Sequence, residues 1–290
     1  NNAGFGLWSE SLQNYQNNGV VNVVIIVLIL LGGLGWRVTS DLWANRKNLT
    51  FRRLSLHSRL VIRTSFFLLC LGTFGLLLTE FIEQGSFFLS IDWNKRFLIA
   101  FFESVSARTA GFTNMPMSIE SISDSGLLLL MTLMFIGASP GGTGGGIKTT
   151  TVAALMAATR STLRGQDTVV IRHRQISDKV VLKAVGITVG SLLFILLMAL
   201  CITMSSNFAS QEHFSFLEIL FTCISAFATV GFDIGVTQNL NTFGQLILIV
   251  GMFVGRLGIL LLLSAIWQLL NKDRIQHQNR IGYPREDLYV

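Results

Sequence analysis

The stretches FLIAFFESVSARTAGF (residues 97–112) and FSFLEILFTCISAFATVGF (residues 214–232) decide the fold. In both, an apolar segment of 11–15 residues leads into a Thr-x-Gly-Phe motif. A helix needs about 20 residues to cross the hydrocarbon core of a bilayer, so segments of this length are typical of helices that enter the membrane and turn back. The sequence therefore predicts two re-entrant helices, each followed by a glycine loop.

The composition places these stretches in a membrane. The chain has 290 residues, of which 51% are apolar and only 13% are charged, compared with about 25% charged in an ordinary soluble domain. This balance excludes soluble globular, disordered, collagen-like and disulfide-scaffold proteins. The 3 Cys and 4 His are scattered without metal-ligand spacing, so we expect no enzyme, no cofactor and no metal held by side chains. An all-α membrane protein is predicted.

Five longer apolar stretches are predicted to cross the membrane as helices, because an open strand would leave backbone groups unsatisfied in lipid. They cover residues 20–36, 60–81, 126–159, 180–204 and 243–270. The segments that follow the first, third and fifth stretches, together with the first four residues of the second and fourth stretches, hold 17 of the 22 basic residues. The positive-inside rule places these segments in the cytoplasm, so the N-terminus is predicted outside and the C-terminus inside.

An internal repeat organises the chain. The motif that ends both re-entrant segments also opens the sequence as Asn-Ala-Gly-Phe, so its glycines stand at positions 4, 111 and 231. Each motif is followed by an apolar stretch with a second glycine cluster. We predict repeated units of outer helix, re-entrant pore helix, filter loop and inner helix. The units comprise residues 1–50, which hold only the filter strand and inner helix of their repeat, 51–165 and 166–290.

The glycine loops have the properties of an ion selectivity filter. Backbone carbonyls that replace the hydration shell of a cation must face one axis, and glycine adopts the positive φ values that this requires. Each re-entrant helix would also direct its partly negative C-terminus at the ion path. One motif alone would equally indicate a helix C-cap, whereas three copies in matched repeats favour a filter. The predicted cation-binding residues are Asn2, Ala3, Gly4, Thr109, Ala110, Gly111, Thr229, Val230 and Gly231.

The longest glycine run, GASPGGTGGGIKTTT (residues 137–151), predicts a break in the third apolar stretch. A phosphate-binding P-loop has Gly directly before Lys, where this run has Ile147. Pro140 and the glycines do not sustain a regular helix. An unwound loop here would lie below the filter, either as a movable gate or as a static kink. The predicted gate residues are Ser139, Gly141, Gly142, Thr143, Gly144, Gly145, Gly146, Lys148 and Arg256.

Arg256 lies inside the fifth apolar stretch, where a charged residue is a functional candidate. Two roles stay open: a fixed positive charge that slows cations, or a salt bridge that stabilises packing. Glu103 and Arg108 stand on the first re-entrant helix. We interpret these two as mainly structural residues that pair behind the filter.

Four motifs together resemble the Trk/Ktr/HKT superfamily of potassium and sodium transporters, and most closely the bacterial Ktr-type membrane subunit. They are SARTAGFTNMP (106–116), GASPGGTGGGIKTTT (137–151), SAFATVGFDIG (225–235) and GRLGILLLL (255–263). The resemblance implies four units arranged pseudo-fourfold around one pore. It also implies that the glycine run is an intramembrane gating loop and that Arg256 is the arginine of the last inner helix. The first unit and part of the second are missing, so the chain is expected to be the C-terminal portion of a longer polypeptide.

The resemblance implies channel-like uptake of K+, held at the filter carbonyls, with Na+ as a possible second transported ion. All three visible motifs keep Gly, which fits K+, but a sodium transporter of the same fold stays an alternative. The expected setting is a homodimer in the lipid of a bacterial plasma membrane, multi-pass, with a cytoplasmic nucleotide-binding regulatory ring subunit and no nucleic acid. A secondary transporter with broken helices is the other class, but it predicts inverted repeats and these repeats are parallel.

Overall fold

The computed structural model describes residues 11–48, 53–82, 87–118, 121–166, 168–171, 174–209 and 214–259. The predicted filter residues Asn2, Ala3 and Gly4, and the end of the fifth apolar stretch, lie outside these ranges. The elements in chain order are α1 (Gly19–Leu34), α2 (Trp36–Ala44), α3 (Leu56–Ile82), α4 (Trp93–Ser106), α5 (Asp124–Phe135), α6 (Thr149–Leu163), β1 (Val170–Ile171), β2 (Arg174–Gln175), α7 (Asp178–Ala209), α8 (Phe216–Ala228), α9 (Val236–Asn239) and α10 (Thr242–Leu257).

Two complete units repeat the same order of elements. In the first, the long helix α3 precedes the shorter α4, and the glycine motif leads to α5 and α6. In the second, α7, α8 and α10 follow in the same order, with the one-turn helix α9 between the last two. The two re-entrant segments predicted from sequence are therefore helices, and each ends at its glycine motif.

Side-chain caps fix where these helices begin. The Ser123 hydroxyl accepts a hydrogen bond from the amide of Gly126 (2.9 Å) at the start of α5. Ser215 and Glu218 form a capping box at the start of α8. The side chain of Asn241 accepts from the amide of Gly244 (2.8 Å) at the start of α10. Each cap satisfies amide groups that the first turn of a helix leaves without partners.

The structure confirms the predicted break in the third apolar stretch, and it corrects the expectation that the first and fifth stretches cross the membrane as unbroken helices. Among the described residues, α3 and residues 178–205 of α7 are each long and apolar enough to cross a membrane. The helices α1 and α2 would together form a third span, but they are bent by 98° at Gly35. The third stretch is interrupted between α5 and α6, and α10 stops at Gly258. All three interruptions fall on the glycine clusters, because glycine destabilises a helix interior and adopts positive φ there.

The buried residues form cores around the pore helices. One cluster joins α3, α4, α5 and α8 and includes Leu76, Leu130 and Phe221. A second cluster packs α7 and α10 against α8. Large apolar side chains on the outer faces of α3 and α7 are exposed, for example Phe66 and Leu193, as expected for surfaces that contact lipid.

The basic segment after α6 contains two short strands, which the all-α prediction did not include. Strands β1 and β2 pair antiparallel, with Val170 opposite Gln175 and Ile171 opposite Arg174. The run of β-branched residues at 168–171 favours extended backbone. This hairpin lies between the two complete repeats and does not interrupt either of them.

Candidate functional site

The loops that follow α4 and α8 share one unusual backbone conformation. In the first loop φ is +84° at Thr109 and +74° at Gly111. In the second, φ is +54° at Thr229 and +98° at Gly231. A positive φ is uncommon for a threonine, and among the described residues Ser11 is the only other non-glycine with one. Matched alternation of this kind is how successive carbonyl groups are turned toward one side of a loop.

The two loops that carry the predicted filter motifs lie directly against each other. A Cβ atom added at Gly111 would overlap the carbonyl oxygen of Val230 and would come within 3.3 Å of the Cα of Gly231. Glycine is therefore needed at position 111 both for its φ and for this close approach. The motifs are 120 residues apart in sequence, and the fold brings them to one place.

Residues that precede α1 are hydrogen-bonded to the segment that follows Gly111. The amide of Leu12 donates a hydrogen bond to the carbonyl of Thr113 (2.9 Å). The amide of Thr113 in turn donates to the Ser11 hydroxyl (3.0 Å). The segment just after the first predicted filter motif thus pairs with the segment just after the second.

Two serines that the sequence analysis missed hold the filter loops to their helices. Ser106 Oγ donates to the carbonyl of Phe112 (2.5 Å), and Ser225 Oγ donates to the carbonyl of Phe232 (2.7 Å). Each serine stands near the C-terminal end of a pore helix, and each phenylalanine directly follows a filter glycine. The signal in the sequence was the Ser-Ala pair that precedes both motifs by a few residues.

Glu103 is buried on α4 and Arg108 is buried two residues after its end, but the predicted pairing between them is wrong. Glu103 Oε1 accepts from the amide of Asn114 (3.0 Å), just beyond the filter motif. The Arg108 guanidinium donates to the hydroxyl of Ser65 (3.1 Å) on α3. Glu103 on α4 and Arg108 just beyond it therefore meet different neighbours: Glu103 supports the loop after α4, and Arg108 contacts the outer helix α3.

The predicted gating run lies immediately beside the filter. The amide of Gly145 donates to Thr229 Oγ1 (2.9 Å). A Cβ atom at Gly144 would overlap the side chain of Thr109. The glycine run thus contacts the threonine that begins each described filter motif, and its glycines are required by the close packing.

The other side of the run is fixed to the bend between α1 and α2. The amide of Ser139 donates to the carbonyl of Gly33 (3.1 Å), and that of Thr143 donates to Gly32 (3.3 Å). The amide of Trp36 donates to Gly141 (3.3 Å). The run therefore lies between the filter loops and a broken inner helix.

Two basic side chains, Lys148 and Arg256, lie near the glycine run. Lys148 Nζ donates to the carbonyl of Gly144 (2.6 Å), and its charge lies near enough to Arg256 for the two to repel. Arg256 lies exposed in the last turn of α10 and lines a cavity of about 670 Å³ together with Thr229, Val230 and Gly231. Within the described ranges its guanidinium forms no ion pair or hydrogen bond. The sequence-predicted site residues that the structure describes thus come together in one region.

A family model and two relatives match this chain in sequence. Residues 1–278 match the family model TrkH, described as a cation transport protein. The Ktr system potassium uptake protein B of Bacillus subtilis is 34% identical over 89% of this chain and 55% of its own length. The potassium/sodium uptake protein NtpJ of Enterococcus hirae is 32% identical over the whole chain and 61% of its own length.

A comparison with solved structures shows a shared fold. The crystal structure of the potassium transporter TrkH from Vibrio parahaemolyticus superimposes with a TM-score of 0.70 at 19% identity, over 91% of this chain and 55% of that one. The chain therefore spans somewhat more than half the length of these relatives. From the family match over nearly its whole length, the chain belongs to the TrkH family of cation transport proteins.

Proposed function

We propose that this chain forms part of a channel-like transporter that takes up K+ through a filter of backbone carbonyl groups. The observation that carries the proposal is the contact between the glycine run and both threonines that open the filter motifs. A row of carbonyls turned to one axis replaces the water that a K+ ion loses on entry. The next constriction on the same path is the glycine run.

The filter assignment rests on the matched backbone of two loops from different repeats. The residues proposed to hold K+ are Thr109, Ala110 and Gly111 in one loop, and Thr229, Val230 and Gly231 in the other. Asn2, Ala3 and Gly4 carry the same motif and complete the proposal from the sequence. The implied arrangement is pseudo-fourfold, with one further loop contributed by sequence outside this chain.

The gate assignment rests on the location and the charges of the glycine run. A loop that lacks regular helical hydrogen bonds is tolerated at membrane depth when it lines protein or water. Its residues from Ser139 to Lys148 lie between the filter and the bent inner helix. Arg256 adds a fixed positive charge near Lys148. We propose that the loop and Arg256 together limit the passage of ions.

The proposed setting follows the named relatives. The potassium uptake protein of Bacillus subtilis supports K+ as the ion, and the potassium/sodium uptake protein of Enterococcus hirae keeps Na+ as a second candidate. We propose a multi-pass protein of a bacterial plasma membrane with its C-terminus in the cytoplasm. A homodimer with a nucleotide-binding regulatory ring is the proposed assembly.

The test is ion flux through the complete polypeptide that contains this chain. The purified protein in liposomes should let K+ enter down its gradient, with Na+ flux much slower than K+ flux. Na+ flux equal to or above K+ flux would favour the sodium transporter of the same fold. A strict requirement for a co-transported anionic solute would instead favour the secondary transporter with broken helices.

A further inference from the structure

A second cavity lies between α3 and α6. Its lining differs in chemistry from the region of the predicted filter. Its volume is about 760 Å³. Its wall combines basic, polar and apolar side chains, and among the described residues no carboxylate lines it. The lining includes Arg59, Leu60, Arg63, Arg160, Arg164, Met156 and Ala157.

The four arginines converge because of helical spacing. Arg59 and Arg63 are four residues apart at the start of α3, and Arg160 and Arg164 are four residues apart at the end of α6. Side chains at this spacing lie on one face of a helix. Since α3 and α6 pack against each other, the two faces form one strongly positive cavity.

Three of the four arginines have no acceptor from the described residues. Within the described part of the chain, the guanidinium groups of Arg59, Arg160 and Arg164 form no ion pair and no hydrogen bond, and Nε of Arg59 is buried without a partner. The carboxylate of Asp41, which lies near His57 at the start of α3, is already engaged by the amide of Ser55 (2.9 Å) and by Asn45 Nδ2 (3.0 Å). One buried arginine donor without a partner, on Arg59, beside three exposed arginines points to an anionic ligand that supplies the missing acceptors.

The apolar part of the wall indicates what kind of anion fits. Met156, Ala157 and Leu60 line the cavity next to the arginines, and Met156 is 58% exposed. On α3 the exposed apolar band begins at Phe66, less than one turn after Arg63. The cavity therefore lies where α3 leaves the hydrocarbon region. A ligand with a phosphate group and an apolar tail matches both parts of the wall.

We propose that this cavity binds the phosphate headgroup of an anionic phospholipid, with its acyl chains along α3 and α6. Arginine suits this role because its guanidinium donates two parallel hydrogen bonds to phosphate oxygens. Basic pockets between membrane helices are a recurring way of holding acidic lipids. The site is separate from the ion path, and its test does not depend on transport.

The test measures the binding of phosphatidylglycerol to the complete, detergent-solubilised protein by native mass spectrometry. The double variant Arg59→Gln/Arg160→Gln should bind about 25-fold more weakly than the wild type, since each surface cation contributes about five-fold. The matched control Arg46→Gln/Lys47→Gln removes the same charge from the segment between α2 and α3, outside the cavity. Its affinity should stay near that of the wild type. Equal losses in both double variants would overturn a defined site.

A second variant tests the placement of the acyl chains, and a competitor distinguishes a lipid from free phosphate. Ala157→Trp keeps every charge but fills the apolar part of the cavity, so phosphatidylglycerol binding should fall about 10-fold in a monodisperse protein. Unchanged binding in Ala157→Trp would contradict the placement of the acyl chains. Inorganic phosphate at millimolar concentration should not displace the lipid. If it does, and if it binds alone with the same dependence on Arg59 and Arg160, the ligand is a free phosphate and the lipid assignment is wrong.

Discussion

The amide of Gly145 donates a hydrogen bond of 2.9 Å to Thr229 Oγ1, across 84 residues of sequence. The donor belongs to the glycine run that interrupts one inner helix, and the acceptor is the first residue of the filter motif of the next repeat. Because the donor is a backbone group, the bond fixes the position of the run itself. Any movement of the run away from the filter has to break it.

Removing that acceptor should loosen the run. Thr229→Val keeps the shape and branching of the side chain but loses Oγ1. A hydrogen bond of this kind contributes about 0.5–1.5 kcal/mol net, so we expect the maximal K+ uptake rate to rise about 2- to 10-fold if the run limits passage. Thr188→Val is the matched control, since it removes a threonine bond to the carbonyl of Ala184 inside α7. Uptake normalised to membrane protein gives the answer, and equal rates in both variants would contradict a restraining bond.

Shortening the run should have a larger effect than loosening it. Deletion of residues 142–145 removes the contacts to both filter threonines. We expect a higher maximal rate of K+ uptake, with the apparent affinity for K+ less affected because the filter carbonyls stay in place. Kinetics in cells that lack other K+ uptake systems measure both quantities. An unchanged rate in a correctly inserted variant would favour the static kink over the gate.

The filter glycines should determine the preference for K+ over Na+. Gly111→Ser places a Cβ where the carbonyl oxygen of Val230 lies, at a φ of +74°. We expect the K+/Na+ preference to fall by about 10-fold or more, equivalent to about 1.4 kcal/mol. Gly231→Ser should act less strongly, because the added Cβ meets its nearest neighbour, the Cα of Gly111, at 3.7 Å. Gly19→Ala, with nothing within 4 Å, is the control. Unaltered preference in both serine variants would exclude the filter assignment.

Arg256 should slow K+ rather than hold the fold together. A K+ ion about 4 Å from a guanidinium is repelled by about 4 kcal/mol at an effective dielectric near 20. Arg256→Gln should therefore raise the maximal uptake rate several-fold without loss of protein from the membrane. A salt-bridge role predicts the reverse, since a buried partner would be left uncompensated. A fall in the rate per inserted molecule would decide for the salt bridge.

The serine bonds to the filter loops should contribute to stability. Ser225→Ala leaves the carbonyl of Phe232 without its donor in a buried position. The expected loss is about 1–3 kcal/mol, the cost of an unsatisfied buried group. Thr159→Ala removes an exposed bond to the carbonyl of Leu155 and should cost much less. Thermal unfolding in detergent compares the two, and similar midpoints for both variants would show that the Ser225 bond adds little.

The sequence predicted the repeated order of elements well, because a glycine motif and the length of an apolar segment each determine structure locally. The pore helices, the filter loops and the break before Thr149 all follow from that pattern. It did not predict the 98° bend at Gly35, because the contacts with the glycine run come from a distant segment. The partners of Glu103 and Arg108 were missed for a related reason. Which neighbour a buried charge meets depends on packing between helices, and spacing along α4 does not encode it.

The hydrogen bond from the amide of Thr113 to the Ser11 hydroxyl spans 102 residues, and this has a consequence for folding. A loop closure of that length forms only after the intervening helices have been inserted and packed. The chain loses conformational entropy on closing the loop before the new contacts stabilise it. Under the proposed function, the filter would therefore be among the last parts of the molecule to assemble. A nascent chain whose helices are already in the bilayer would still lack the ion path, so insertion alone would open no leak for cations.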